Sequence, residues 1–84
     1  MKYTFFWSFR ARKCLEKLPS PVSQRITDKV ESIDDDPYRF VERCEGYTYY
    51  HQRIGAYRAI LEIDDATHII KVHKVGPRKK VYDR

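Results

Sequence analysis

Apolar positions along the chain change their spacing near its middle. Residues 2–7 are rich in aromatic and β-branched side chains and predict a first strand, with Ser8 placed to cap a helix behind it. Across residues 9–18, Ala11, Cys14, Leu15 and Leu18 recur at i, i+3, i+4 and i+7. They make one apolar stripe, with Arg10, Arg12, Lys13 and Lys17 turned outward. Pro19-Ser20-Pro21 interrupts this helix. Ser20 is then the predicted N-cap of a second one, with Pro21 at the first helical position, where its missing N–H costs nothing. Val22, Ile26, Val30 and Ile33 mark the buried face of that helix. Asp34-Asp35-Asp36-Pro37 ends it, because the residue before proline is pushed out of the helical region.

From Tyr47 onward the period falls to two. Residues 47–54, 57–63 and 68–75 predict three strands joined by short turns at Gly55-Ala56 and Asp64-Asp65-Ala66. The predicted order is βααβββ. Both helices come from one contiguous block and therefore cover a single face of a mainly antiparallel sheet. The result is a two-layer α+β domain whose other face is open, and function is expected on that open face. With 84 residues the chain makes one domain, residues 1–84, since a globule of this size buries only about 60% of its unfolded surface.

Composition agrees with a packed core: 42% of residues are hydrophobic, including seven Tyr, four Phe and one Trp, which offsets a 35% charged fraction. Net charge is +5, and it is unevenly placed. Residues 1–46 carry nine Lys/Arg against eight Asp/Glu, whereas residues 47–84 carry eight against four, a net of +4. The positive field belongs to the C-terminal half and suits a polyanionic partner, although a solvated basic face would look the same. Cys14 and Cys44 lie far apart with no metal or redox spacing, and both are expected to be inert semi-buried thiols. The N-terminal apolar run at residues 3–6 is shorter than the roughly 7 residues of a signal core and the roughly 20 of a membrane span. No membrane contact is expected, and the cytoplasm is the default location.

Three places carry candidate chemistry. His51 and Arg53 alternate with Tyr50, Gln52 and Ile54, so they project from one face of a strand. They are either a titratable base beside a fixed cation or two ordinary surface groups. Arg58 opens the next strand across the Gly55 turn and must lie near Arg53 if the strands pair. Such gathered cations suit a phosphate, which arginine grips bidentately; a salt bridge from Arg58 to Glu62 or to the acidic run is the alternative. The segment 74–82 holds Lys74, Arg78, Lys79, Lys80 and Tyr82 and is read as non-core. Cations with an aromatic platform suit single-stranded nucleic acid, and a solubilising tail is the bland alternative. His51, His68 and His73 lack the companions of a metal site, and there is no Gly-rich phosphate loop; neither metal nor cofactor is expected.

The run Tyr50-His51-Gln52-Arg53-Ile54-Gly55-Ala56-Tyr57-Arg58-Ala59-Ile60-Leu61-Glu62-Ile63-Asp64, followed by Val75-Gly76-Pro77-Arg78-Lys79-Lys80-Val81-Tyr82, resembles the RelE/ParE toxin superfamily. The first strand, the paired helices and the Leu18-Pro19 break fit as well, so the likeness spans the chain. RelE-type members resemble compact microbial ribonucleases and cut mRNA in the ribosomal A site; ParE-type members poison gyrase and lack the cleaving residues. The resemblance maps the strand pair to His51 and Arg53, the next-strand arginine to Arg58, the Gly-x-Arg arginine to Arg78 and the C-terminal tyrosine to Tyr82. His51 stands where Lys or Arg is usual, and Pro77 replaces a commonly basic residue. The resemblance implies a ribosome-dependent endoribonuclease, with Lys74, Lys79 and Lys80 contacting RNA. Its partners would be a RelB-like antitoxin, the ribosome and mRNA, with no direct DNA contact by the toxin alone. A gyrase-inhibiting toxin and a basic RNA-binding module remain the alternatives.

Overall fold

A computed structural model describes residues 2–44 and 48–77 of the chain. Strand β1 (Thr4–Trp7) leads into helix α1 (Phe9–Glu16) and helix α2 (Ser20–Glu31). A 3-10 turn at Pro37–Arg39 then precedes strands β2 (Glu42–Arg43), β3 (Tyr50–Ile54), β4 (Tyr57–Asp64) and β5 (Ile69–Pro77). The strands form one sheet in the order β1-β5-β4-β3-β2, antiparallel except where β1 runs parallel to β5. The predicted α+β two-layer architecture is present. The two-residue β2 is an addition that periodicity could not reveal.

Each helix forms for reasons visible in its sequence. Ser8 caps α1 by accepting from the Ala11 N–H at 3.0 Å, as expected, and its hydroxyl donates to the His73 carbonyl at 3.0 Å, so the cap also fastens α1 to β5. The helix ends at Glu16, short of the expected Leu18, yet Leu18 still packs on the core. For α2 the expected cap is corrected. Ser20 already lies within the helix, Pro19 is the N-cap, and the Val22 and Ser23 N–H groups donate to the Pro19 carbonyl at 3.0 Å. The helix therefore starts on a backbone acceptor and not on the serine hydroxyl.

The core lies between helices and sheet. Ala11, Ile26, Val30 and Ile33 meet Ile54, Ala59, Leu61, Ile70, Val72 and Val75, all at 4% exposure or less. Val75 thus corrects the reading of segment 74–82 as wholly outside the core: β5 continues to Pro77 and its parity carries Val75 inward. That parity is shifted by a bulge. Ile60 pairs with Lys74 but Leu61 pairs with Val72, leaving His73 as the extra residue on β5. Val72 and Val75 consequently share the buried face, and His73 leaves it together with Lys74.

Candidate RNA-handling face

The site begins at the β3–β4 hairpin. Ile54 pairs with Tyr57 across a two-residue loop, and Gly55 at φ +59° takes the first central position, the arrangement of a type II′ turn. Such a tight connection fixes the register, so Arg53 stands directly opposite Arg58 and His51 opposite Ile60. Gln52 and Ile54 have the other parity and face the helices; the Gln52 amide donates to the Lys29 carbonyl at 3.1 Å and ties β3 to the end of α2.

This face is not uniformly open. Arg53 is exposed, whereas His51 is 8% and Arg58 4% exposed, which overturns the reading of His51 as an ordinary surface group. One cause is β2, which pairs Glu42 with His51 and walls the imidazole on its outer side. The Arg58 guanidinium lies 2.7 Å from His51 Nδ1. Arginine only donates, so Nδ1 accepts, and a neutral imidazole must carry its hydrogen on Nε2. That nitrogen faces Glu42 Oε1 at 3.4 Å. Burial, then the Arg58 charge, hold the His51 pKa below its ordinary 6.5; Glu42 opposes them and Arg53 adds to them. The ring is neutral at pH 7. Glu62, the alternative partner considered for Arg58, engages His73 at 2.8 Å.

Lys74 lies on β5 opposite Ile60, on the far side of β4 from His51. Arg78, Lys79, Lys80 and Tyr82 lie outside the described residues. Of the expected RNA-handling residues, the structure therefore brings His51, Arg53, Arg58 and Lys74 onto one face. Glu42 and Tyr49 belong to the same surface and were not singled out in the sequence, where Glu62 figured only as a possible partner of Arg58 and His73 only as a histidine without metal companions. The only sequence signal for Glu62 was its even spacing from Arg58 along a strand. Both cysteines are free and half-buried, and burial pushes the Cys44 thiol up against the opposing pull of Arg58. Among the described residues no three His, Cys, Asp or Glu side chains converge as a metal set, and no helix is long and apolar enough to cross a membrane.

Two helices on one side of a five-stranded sheet, with a basic hairpin on the other, define the class of the small RelE-like toxins. The sequence matches the family described as the ParE toxin of type II toxin-antitoxin system, parDE, over residues 5–82, and the chain belongs to this family within the RelE/ParE superfamily. No curated protein sequence matches it significantly. Among solved structures, the toxin-antitoxin complex RelBE2 from Mycobacterium tuberculosis contains a chain similar at 26% identity and a TM-score of 0.83, covering 93% of this chain and 100% of that one. The archaeal RelE-RelB complex from Pyrococcus horikoshii OT3 offers 27% identity and 0.77, covering 93% and 97%. The intact E. coli RelBE toxin-antitoxin complex, at 22% identity and 0.75 over 89% and 95%, shares the fold.

Proposed function

We propose that this toxin is an endoribonuclease that cuts mRNA in the ribosomal A site and is neutralised by a RelB-like antitoxin. One observation carries the reading: a buried, neutral imidazole held against a buried guanidinium, with a second arginine opposite. A gyrase inhibitor has no need of a titratable base beside two cations. Cleavage by a ribose 2′-hydroxyl does.

In that reaction the 2′ oxygen attacks the adjacent phosphorus, the bond to the 5′ oxygen breaks, and the products are a 2′,3′-cyclic phosphate and a free 5′ hydroxyl. His51 takes the 2′ proton, and the departing 5′ oxygen takes one up from solvent water, so the protons balance. Its Nδ1 is engaged by Arg58 in the ligand-free chain. A phosphate is the better acceptor for a guanidinium, so substrate draws Arg58 onto its oxygens and returns the Nδ1 lone pair to the base. Arg53 and Arg58 stabilise the charge of the five-coordinate phosphorus. From the resemblance, Arg78 adds to that charge, Tyr82 stacks on a base, and Lys74, Lys79 and Lys80 hold the RNA backbone. The relatives in the RelB complexes support an antitoxin partner, and the net +4 of residues 47–84 supports an acidic one whose binding weakens as salt rises.

Purified protein added to translating ribosomes, with mRNA ends mapped and gyrase supercoiling assayed in parallel, tests the reading. New ends inside occupied A sites, lost in Arg78→Ala with the fold intact, are expected; inhibited supercoiling with intact mRNA would replace it by the gyrase reading.

A further inference from the structure

Beside the His51–Arg58 pair the same face carries a second constellation of recognition groups. Tyr49, Glu62 and His73 come together from three strands' worth of chain. The His73 ring tilts against the Tyr49 ring with centroids 5.0 Å apart, and His73 Nε2 lies 2.8 Å from Glu62 Oε1. The bulge between Ile60 and Leu61 falls at His73, and the Ser8 hydroxyl on the His73 carbonyl fixes it. Bulges that re-aim one side chain are common next to sites. Alternation from Ile70 and Val72 turns His73 to the open face, and the bulge keeps Lys74 on that face beside it.

We propose that Tyr49, Glu62 and His73 form a nucleobase subsite that receives the base next to the phosphate held by Arg53 and Arg58. The inference rests on the ribonuclease reading for its place in the reaction, but not for the binding itself. Tyr49 is 38% exposed and offers a ring face on which a base can stack, a contact usually contributing about 1–3 kcal/mol. It precedes His51 by two positions, just before β3 begins, about 7 Å away by extended-chain geometry. His73 holds one oxygen of Glu62, so the carboxylate is tied beside the Tyr49 ring and its second oxygen can accept from a stacked base.

A carboxylate accepts and never donates at neutral pH. It therefore favours bases that present an exocyclic amino group, namely adenine, cytosine and guanine. Uracil, whose one edge N–H lies between two carbonyl oxygens, is disfavoured. Lys71, paired with Glu62 across β4 and β5, and Lys74, beside Ile60, supply cations for the phosphates on either side.

The experiment is an NMR titration of the whole protein with the four ribonucleoside 5′-monophosphates, together with cleavage of programmed mRNAs differing only in the base flanking the cut. Adenosine, cytidine and guanosine monophosphates should shift the Tyr49, Glu62 and His73 resonances at concentrations several-fold below uridine monophosphate. Tyr49→Ala should weaken all four by about tenfold, whereas Tyr49→Phe, which keeps the ring, should not. Glu62→Gln should erase the discrimination against uridine while leaving the stack. Nucleotide binding with this pattern but no mRNA cleavage would retain the subsite and overturn the nuclease reading. Cleavage indifferent to the flanking base in all variants, with no shift at these three residues, would overturn the subsite.

Discussion

The two ends of strand β4 solve opposite problems. Beyond its last residue, Asp65 accepts from the Tyr3 hydroxyl at 2.6 Å and from the Tyr38 hydroxyl at 2.8 Å, so donors and acceptor are complementary within the chain. Near its start, Arg58 stands opposite Arg53 and against His51, so basic groups converge, with Glu42 facing the imidazole from β2. The first cluster is complete by itself. The second answers its own repulsion by holding His51 neutral, and under the proposed function it receives a phosphate. A cluster that shifts a pKa by burial and like charge is where function is best sought.

The sharpest way to break this contrast is to change His51. His51→Ala and His51→Lys are each expected to lower single-turnover cleavage on programmed ribosomes by about 10² to 10⁴-fold if the imidazole is the base. Native activity should climb with pH through a pKa below 6.5, since only the neutral ring accepts a proton. An active His51→Lys enzyme with a flat profile would reduce the site to electrostatics. Next in size is Leu61→Ala, which opens a cavity in the fully buried layer beneath both clusters. It should cost about 2–5 kcal/mol in urea unfolding and leave the pH profile of cleavage in place. Failure of that separation would mean the site is not independent of the packing below it.

Smaller, but specific to one end, is the effect of pH on stability. The unfolded chain protonates His51 near its ordinary 6.5, whereas the folded chain resists until lower pH. Between those values the unfolded state binds more protons, so stability rises with pH. The contribution is complete above 6.5 and is lost as pH falls through the depressed folded value. Denaturation midpoints across this window should slope upward in the native protein and less so in His51→Ala.

Much of this molecule was legible in its sequence where periodicity is strong. Ala11, Cys14, Leu15 and Leu18 revealed α1, and the alternation around His51 placed His51 and Arg53 on one side of a strand. What escaped were features set by neighbours distant in sequence. A two-residue strand such as Glu42–Arg43 has no period to detect and exists because β3 offers it an edge. The bulge at His73 reverses strand parity from that point, so counting by twos from Val72 places Lys74 and Val75 on the wrong faces. Burial of Arg58 is invisible to any local rule, because arginine is ordinarily exposed.

The last and smallest expected effect is at the complementary end. Two tyrosine hydroxyls hold the Asp65 carboxyl below its ordinary 3.8, the Tyr3 bond first, while Asp65 helps to raise both tyrosines above 10. A depressed carboxyl pKa contributes stability above about 3.8 that is lost as pH falls through the folded value. Asp65→Asn keeps an acceptor but removes the charge, so Tm should drop modestly at pH 7 and the gap to the native protein should close in acid. Alkaline titration of tyrosinate absorbance gives an independent reading: Tyr3 and Tyr38 should ionise earlier in Asp65→Asn, because the charge that opposed their ionisation is gone. Cleavage should be unaffected, since the change lies at the far end of β4 from His51. If Asp65→Asn instead altered the pH profile of cleavage, the two ends of the strand would be coupled, and the contrast between the two clusters would fail.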